Sequence, residues 1–214
     1  MAIKKYISDA DNTIVNAYLS NFRTRATGSN TGEADVLEAY SIYGRVTTSS
    51  QELSRILIQF PVSEIDTDRT SGIIPASGSV SFYLRMFNAE TSKTVPKQFK
   101  LTVNPISQTW QEGIGLDLEN YTDIRGNNQG SNWISASNTT SWRDAAGNEI
   151  VGGSILTSSS DYLYEQTFKN GLEDLEINIT PLVESWIAGT IDNYGVLVKL
   201  SSSFEAYATA DDTA

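Results

Sequence analysis

Two tryptophans in a long polar stretch, Trp133 and Trp142, are the residues whose type best suits ligand chemistry. An indole or phenol ring has an apolar face and a polar tip, so Trp133, Trp142 and the nearby Tyr121 would stack on pyranose rings if exposed together. The plainer reading is that both indoles pin a long loop onto a sheet. Trp110 and Trp186 sit at short turns and read as core residues, since Trp is highly buried on average. The run Asp66-Thr67-Asp68-Arg69-Thr70-Ser71-Gly72 opens like a calcium loop. Its Gly falls one place late, and the third acidic ligand and terminal Glu are missing, which favours a solvated turn. Asp117 and Glu119, with Glu112, form an acidic patch that would suit calcium or simply an exposed charged loop. Arg55 and Arg85 lie among apolar strand residues, and a buried arginine there needs a carboxylate partner.

The chain has no His and no Cys. Ser-His-Asp and Cys-His catalysis are therefore excluded, as are disulfides and nearly all zinc sites. The 26 acidic residues leave carboxylate-pair chemistry open by number, but no pair is singled out by its setting. There is no glycine-rich phosphate loop and no nucleophile elbow. We therefore expect no enzyme and no cofactor, calcium being the one metal to consider. A net charge of −11 over 214 residues argues against phosphate-backbone binding and against anionic membranes. The N-terminal stretch lacks the apolar core of a signal peptide, and no run is long enough to span a membrane.

The elements that would carry these residues are mostly strands. Val80, Phe82, Leu84 and Met86 face one way, and Ser81, Tyr83, Arg85 and Phe87 the other. Leu53–Phe60, Phe99–Val103 and Tyr194–Leu200 are further strands, as are segments near 13–18, 35–43, 161–168 and 172–179. Phe204–Thr209 is a candidate last strand, and 65–78 reads as a connection. Thr180 reads as an N-cap with Pro181 at the first helical position, and Leu182, Val183, Trp186 and Ile187 make one apolar face. That predicts a short helix near 181–188, ended by Gly189. Residues 104–160 are long, polar and irregular, a kind of segment that often carries function. No internal repeat and no linker break the chain, so 1–214 reads as one all-β domain, a jelly-roll-like antiparallel sandwich with one short helix. Its polar final residues suggest the N-terminal part of a longer product.

Several pieces, in order, resemble the DNRLRE-type domains, β-sandwich modules similar to carbohydrate-binding modules. They are Asp11 and Ile14, Gly28-Ser29-Asn30-Thr31-Gly32 before Leu37, Ser54 through Phe60, Ile74-Pro75-Ala76, Thr109 through Gly113, Ile177 through Trp186, and Asn193-Tyr194-Gly195. The wording of Ala26–Asn30 and Asn193–Leu197 is similar to virion structural proteins of tailed phages. For Arg55 the resemblance implies a structural ion pair. Where the family often has Phe-Asp, this chain has Phe60-Pro61. The resemblance implies a non-enzymatic virion component, a decoration, collar or fibre subunit that is homo-oligomeric and bound to other virion proteins, with host surface polysaccharide as a further contact. The alternative is a carbohydrate-binding module of an extracellular enzyme or adhesin.

Overall fold

The computed structural model describes residues 3–91, 94–116, 130–157 and 160–205. The fold is an all-β, jelly-roll-like sandwich of antiparallel sheets with a few short helices. In chain order the elements are β1 (Ala10–Val15), β2 (Ser41–Tyr43), β3 (Gln51–Gln59), α1 (Val62–Thr70), β4 (Tyr83–Met86), β5 (Phe99–Pro105) and β6 (Ser135–Ser137). Then follow β7 (Thr140–Ser141), β8 (Tyr164–Phe168), β9 (Leu175–Asn178), α2 (Thr180–Ile187), β10 (Val196–Leu200) and α3 (Ser202–Glu205). The main sheet runs β1-β3-β10-β5-β8, with β2 added to β3, and β4 pairs with β9 in a separate two-stranded sheet. Chain neighbours are rarely sheet neighbours, so the strands cross over from one layer to the other.

The main sheet is buried on both faces, which explains its near-continuous apolar strands. On β3, Ile56 and Ile58 point to one side, while Leu53, Arg55 and Leu57 point to the other. On β10, Val196 and Val198 oppose Leu197 in the same way. The first face packs on regular elements: Leu84 of β4, Ile177 of β9, Ile65 of α1, and Leu182, Val183 and Trp186 of α2. The second face packs on the irregular segment, through Ile106, Trp110, Trp133, Ala136 and Trp142.

The expected helix is present, with Pro181 in its first turn and Gly189 at positive φ just beyond its end. Its cap differs. Ile179 holds the N-cap position, and Thr180 is the first helical residue. The Thr180 hydroxyl instead accepts from the Phe82 backbone N–H at 2.8 Å, so it ties the helix to the strand entering β4.

Other elements depart from the expectation. Residues 65–78 are not simply a connection, because α1 fills their first part. That helix carries almost no apolar periodicity; it buries only Ile65 and Asp68. Polar contacts hold it in place. The alternation read over 79–88 is real, but only Tyr83–Met86 pair with β9. Of 35–43, only the last three residues pair. Residues 202–205 form a helical turn where a strand was expected to start, and 206–209 lie outside the described residues.

Candidate functional site

The tryptophans of the polar segment are core residues. Trp142 is 0% exposed and Trp133 is 6% exposed, so neither presents a ring face to a sugar. Trp142 Nε1 donates to the Asn132 carbonyl at 2.8 Å, and Trp110 Nε1 to the Tyr194 carbonyl at 2.8 Å. These bonds satisfy indole N–H groups that burial would otherwise strand. Tyr121, the third expected sugar contact, lies outside the described residues.

Asp66 and Asp68 sit on α1, not in a loop. Two residues apart on a helix is about 200° of rotation, so their carboxylates cannot converge on one ion. Asp66 is exposed, whereas Asp68 is buried and accepts from Tyr6 Oη at 2.7 Å and from Lys4 Nζ. Those two donors hold the Asp68 carboxyl below the usual range, and partial burial together with the Asp68 charge pushes the Tyr6 phenol up. Asp117 and Glu119 lie outside the described residues. Glu112 accepts the Asp11 backbone N–H at 2.9 Å, and burial together with the Glu112 charge raises the Asp11 carboxyl. Among the described residues no three acidic side chains gather as metal ligands would.

Arg55 has the carboxylate partner its setting demands, far away in sequence. Nε and Nη2 donate to the two Glu205 oxygens at 2.9 and 2.8 Å, and Nη1 donates to the Gly152 carbonyl at 2.6 Å. Lys199 Nζ shares Glu205 at 2.8 Å, and the guanidinium lies 5.0 Å from the Trp133 ring centroid. The bidentate fork therefore welds β3 and α3 together, and the Gly152 contact adds the irregular segment. Gly152 and Gly153 both have positive φ, and a Cβ on them would strike Arg55 Nη1 at 2.6 Å and Leu197 Cδ1 at 2.4 Å. Only glycines let this stretch lie flat on the sheet.

The Gly28–Gly32 stretch is also structural. Asn30 and Asn12 both donate to the Ser131 carbonyl, at 2.9 and 3.0 Å, and Gly115 N–H donates to Asn30 Oδ1 at 3.0 Å. This buried polar knot ties β1 to both sides of residues 117–129.

Two further surfaces of the described residues bear on function. One is an open depression of about 340 Å3 between the α1 and α2 ends, lined by Arg69, Ser77, Glu184 and Thr190. Its charges are spent on each other: Arg69 donates to both Glu184 oxygens at 2.8 and 2.7 Å, which lowers the Glu184 carboxyl. The other is the outer side of β4. Tyr83 is 54% exposed and Phe87 is 70% exposed, with Arg85 between them bonded to Glu176 at 2.9 Å and resting 5.3 Å from the Phe87 ring centroid. Asn178 stands opposite Tyr83. Exposed aromatics interleaved with polar groups suit a contact face. The alternation puts Tyr83, Arg85 and Phe87 on one side of a strand, but gives no sign that the described residues leave this side exposed.

No helix among the described residues is long and apolar enough to cross a membrane. Against protein-family models, curated proteins and solved structures alike, the chain finds no match.

Proposed function

We propose that this chain is a non-enzymatic structural component of a tailed-phage virion, a decoration, collar or fibre subunit that works through protein–protein contacts. One observation carries the reading. Both faces of the main sheet are filled by the chain's own segments, and among the described residues the outer side of β4 offers exposed aromatics, Tyr83 and Phe87, as a contact surface. An exposed aromatic surface of that kind suits a protein partner, whereas small ligands are usually held in concave sites. The resemblance to virion proteins and DNRLRE-type domains supports the same reading. The expected partners are other virion proteins and further copies of the chain.

A carbohydrate-binding module outside the cell is the second reading, favoured by Tyr83 with Asn178 and Glu176 beside it. In this version the sugar contacts move from Trp133 and Trp142 to the β4 face. Density-gradient sedimentation of the source culture, followed with an antibody to the chain, separates the two. Banding with intact particles is expected. Recovery only in soluble or wall fractions, with polysaccharide binding lost in Tyr83→Ala, would replace the virion reading with the second.

A further inference from the structure

The main sheet has six strands, and the sheet opposite it has two. The pairing of β4 with β9 decides which way the β4 backbone points. Ile179 N–H donates to the Phe82 carbonyl at 2.9 Å, and the register sets Tyr83 opposite Asn178 and Leu84 opposite Ile177. Hydrogen-bonded and non-bonded pairs alternate along an antiparallel ladder. Phe82, Leu84 and Met86 therefore turn their backbone groups toward β9. Tyr83 and Arg85 turn theirs to the other edge, where no described residue pairs with them.

Edges of this kind are usually blunted by shortness, Lys, Pro, a bulge or a cover, and of these devices β4, four residues long, has only its shortness among the described residues. The stretch 79–88 has neither Lys nor Pro, the β4–β9 register has no bulge, and the one charge, Arg85, is neutralised by Glu176. We propose that the β4 edge pairs with the β4 edge of a second copy, antiparallel about a two-fold axis at Leu84, to make a continuous sheet β9-β4-β4-β9. This goes beyond the reading above and holds whether the chain serves in a particle or on polysaccharide.

The sequence is self-complementary in that register. Tyr83 stands opposite Arg85 of the second copy, and Arg85 opposite Tyr83 of the second copy, each exchanging a reciprocal pair of backbone hydrogen bonds. Both side chains lie on the outer face, so each tyrosine ring meets a guanidinium, a favourable cross-strand pair. Arg85 already rests against an aromatic ring in the single chain. A register one pair along sets the two Arg85 side chains against each other, and like charges directly opposite are unfavourable. Leu84 of each copy keeps its side chain in its own core. Edge pairing over so few residues buries much less than the roughly 1,200–2,000 Å2 of a stable interface. The dimer is accordingly weak in free solution and is favoured where copies are held at high local concentration.

Sedimentation velocity on the 214-residue chain, from micromolar to near-millimolar, tests the pairing. The wild type should pass from monomer to dimer. Tyr83→Lys puts a like charge against Arg85 of the second copy and should weaken the dimer at least about tenfold, whereas Tyr83→Glu puts the opposite charge there and should keep or strengthen it. Phe22→Lys, a loss of exposed aromatic surface away from the edge, should change nothing. Near-ultraviolet circular dichroism of each variant reports whether the fold is intact. A monomer at every concentration overturns the proposal and leaves the edge to a strand of some other polypeptide. A dimer indifferent to the sign of charge at position 83 overturns it too.

Discussion

One face of the main sheet is covered by a strand pair and two helices, the other by a segment with almost no regular structure, and both covers are core. On the regular side, backbone groups are satisfied within ladders and helices, and the apolar side chains follow their periods. On the irregular side the same two needs are met by single contacts. Trp142 N–H donates to the Ile134 carbonyl at 3.4 Å, Ile150 N–H to the Trp142 carbonyl at 2.9 Å, and Gly152 N–H to the Trp133 carbonyl at 2.6 Å. Indoles supply the buried area, and two glycines at positive φ let the backbone lie against Leu197 and Arg55. Regular structure is thus one way to pair a buried backbone, and not the only one.

The largest effect expected is from Trp142→Ala, which should cost about 3–5 kcal/mol in urea unfolding. Trp186→Ala on the regular face should cost no more, because the Trp186 N–H has no partner to lose. If Trp142→Ala proves nearly neutral, the irregular cover is not core. Next is the ion cluster beneath that cover. Glu205→Gln leaves Arg55 and Lys199 without their shared carboxylate, and all three side chains are mostly buried, so a loss of about 3 kcal/mol is expected. Its exposed counterpart on the regular side, Glu176→Gln opposite Arg85, should cost under about 0.5 kcal/mol by the same measurement. Gly153→Ala falls between them at about 1–3 kcal/mol, since it forces both a strained φ and a close contact with Leu197; differential scanning calorimetry reads it as a lowered Tm.

Acid should weaken the contacts of α1. The Glu184 and Asp68 carboxyls are lowered in the folded chain by Arg69 and by Lys4 and Tyr6 respectively. A carboxyl lowered by folding contributes stability above its unfolded pKa, and that stability is lost as pH falls through the folded value. The contacts joining α1 to α2 and to residues 4–6 should therefore loosen as pH falls below about 4. Asp11 acts in the opposite direction. Its raised carboxyl favours the fold below its unfolded pKa, and this contribution disappears as pH rises through the folded value. Comparing acid unfolding of wild type with Glu184→Gln and Asp11→Asn separates the two signs. The first variant should flatten the acid transition, and the second should sharpen it.

The sequence was most legible where a side-chain period ran without interruption. Leu53–Phe60 and Tyr194–Leu200 announce central strands, and Pro181 through Gly189 announces α2. The helix α1 was hidden because its stabilising contacts are charged and distant: Lys4 with Asp68, and Arg69 with Glu184. Pairs separated by 64 and 115 residues leave no local mark. Of the candidate sites, burial of Trp133 and Trp142 was legible as the plainer alternative, and a carboxylate for Arg55 was expected, although Glu205 could not be named. The turn favoured over a calcium loop for Asp66 to Gly72 is instead mostly helix, because D-x-D occurs in helices as well as in loops. That no described residue pairs with the outer edge of β4 depends on where distant segments lie, which no local pattern encodes.

Hydrogen exchange read by mass spectrometry on the wild-type chain tests directly whether the irregular cover is core. The bonded amides of Trp133, Trp142, Ile150 and Gly152 should exchange as slowly as those of β3, because they open only with the sheet beneath them, whereas the exposed turn at 145–149 exchanges freely. Exchange of those four amides at the rate of exposed loops, with β3 still protected, would show that the second face is covered only loosely and would contradict the account.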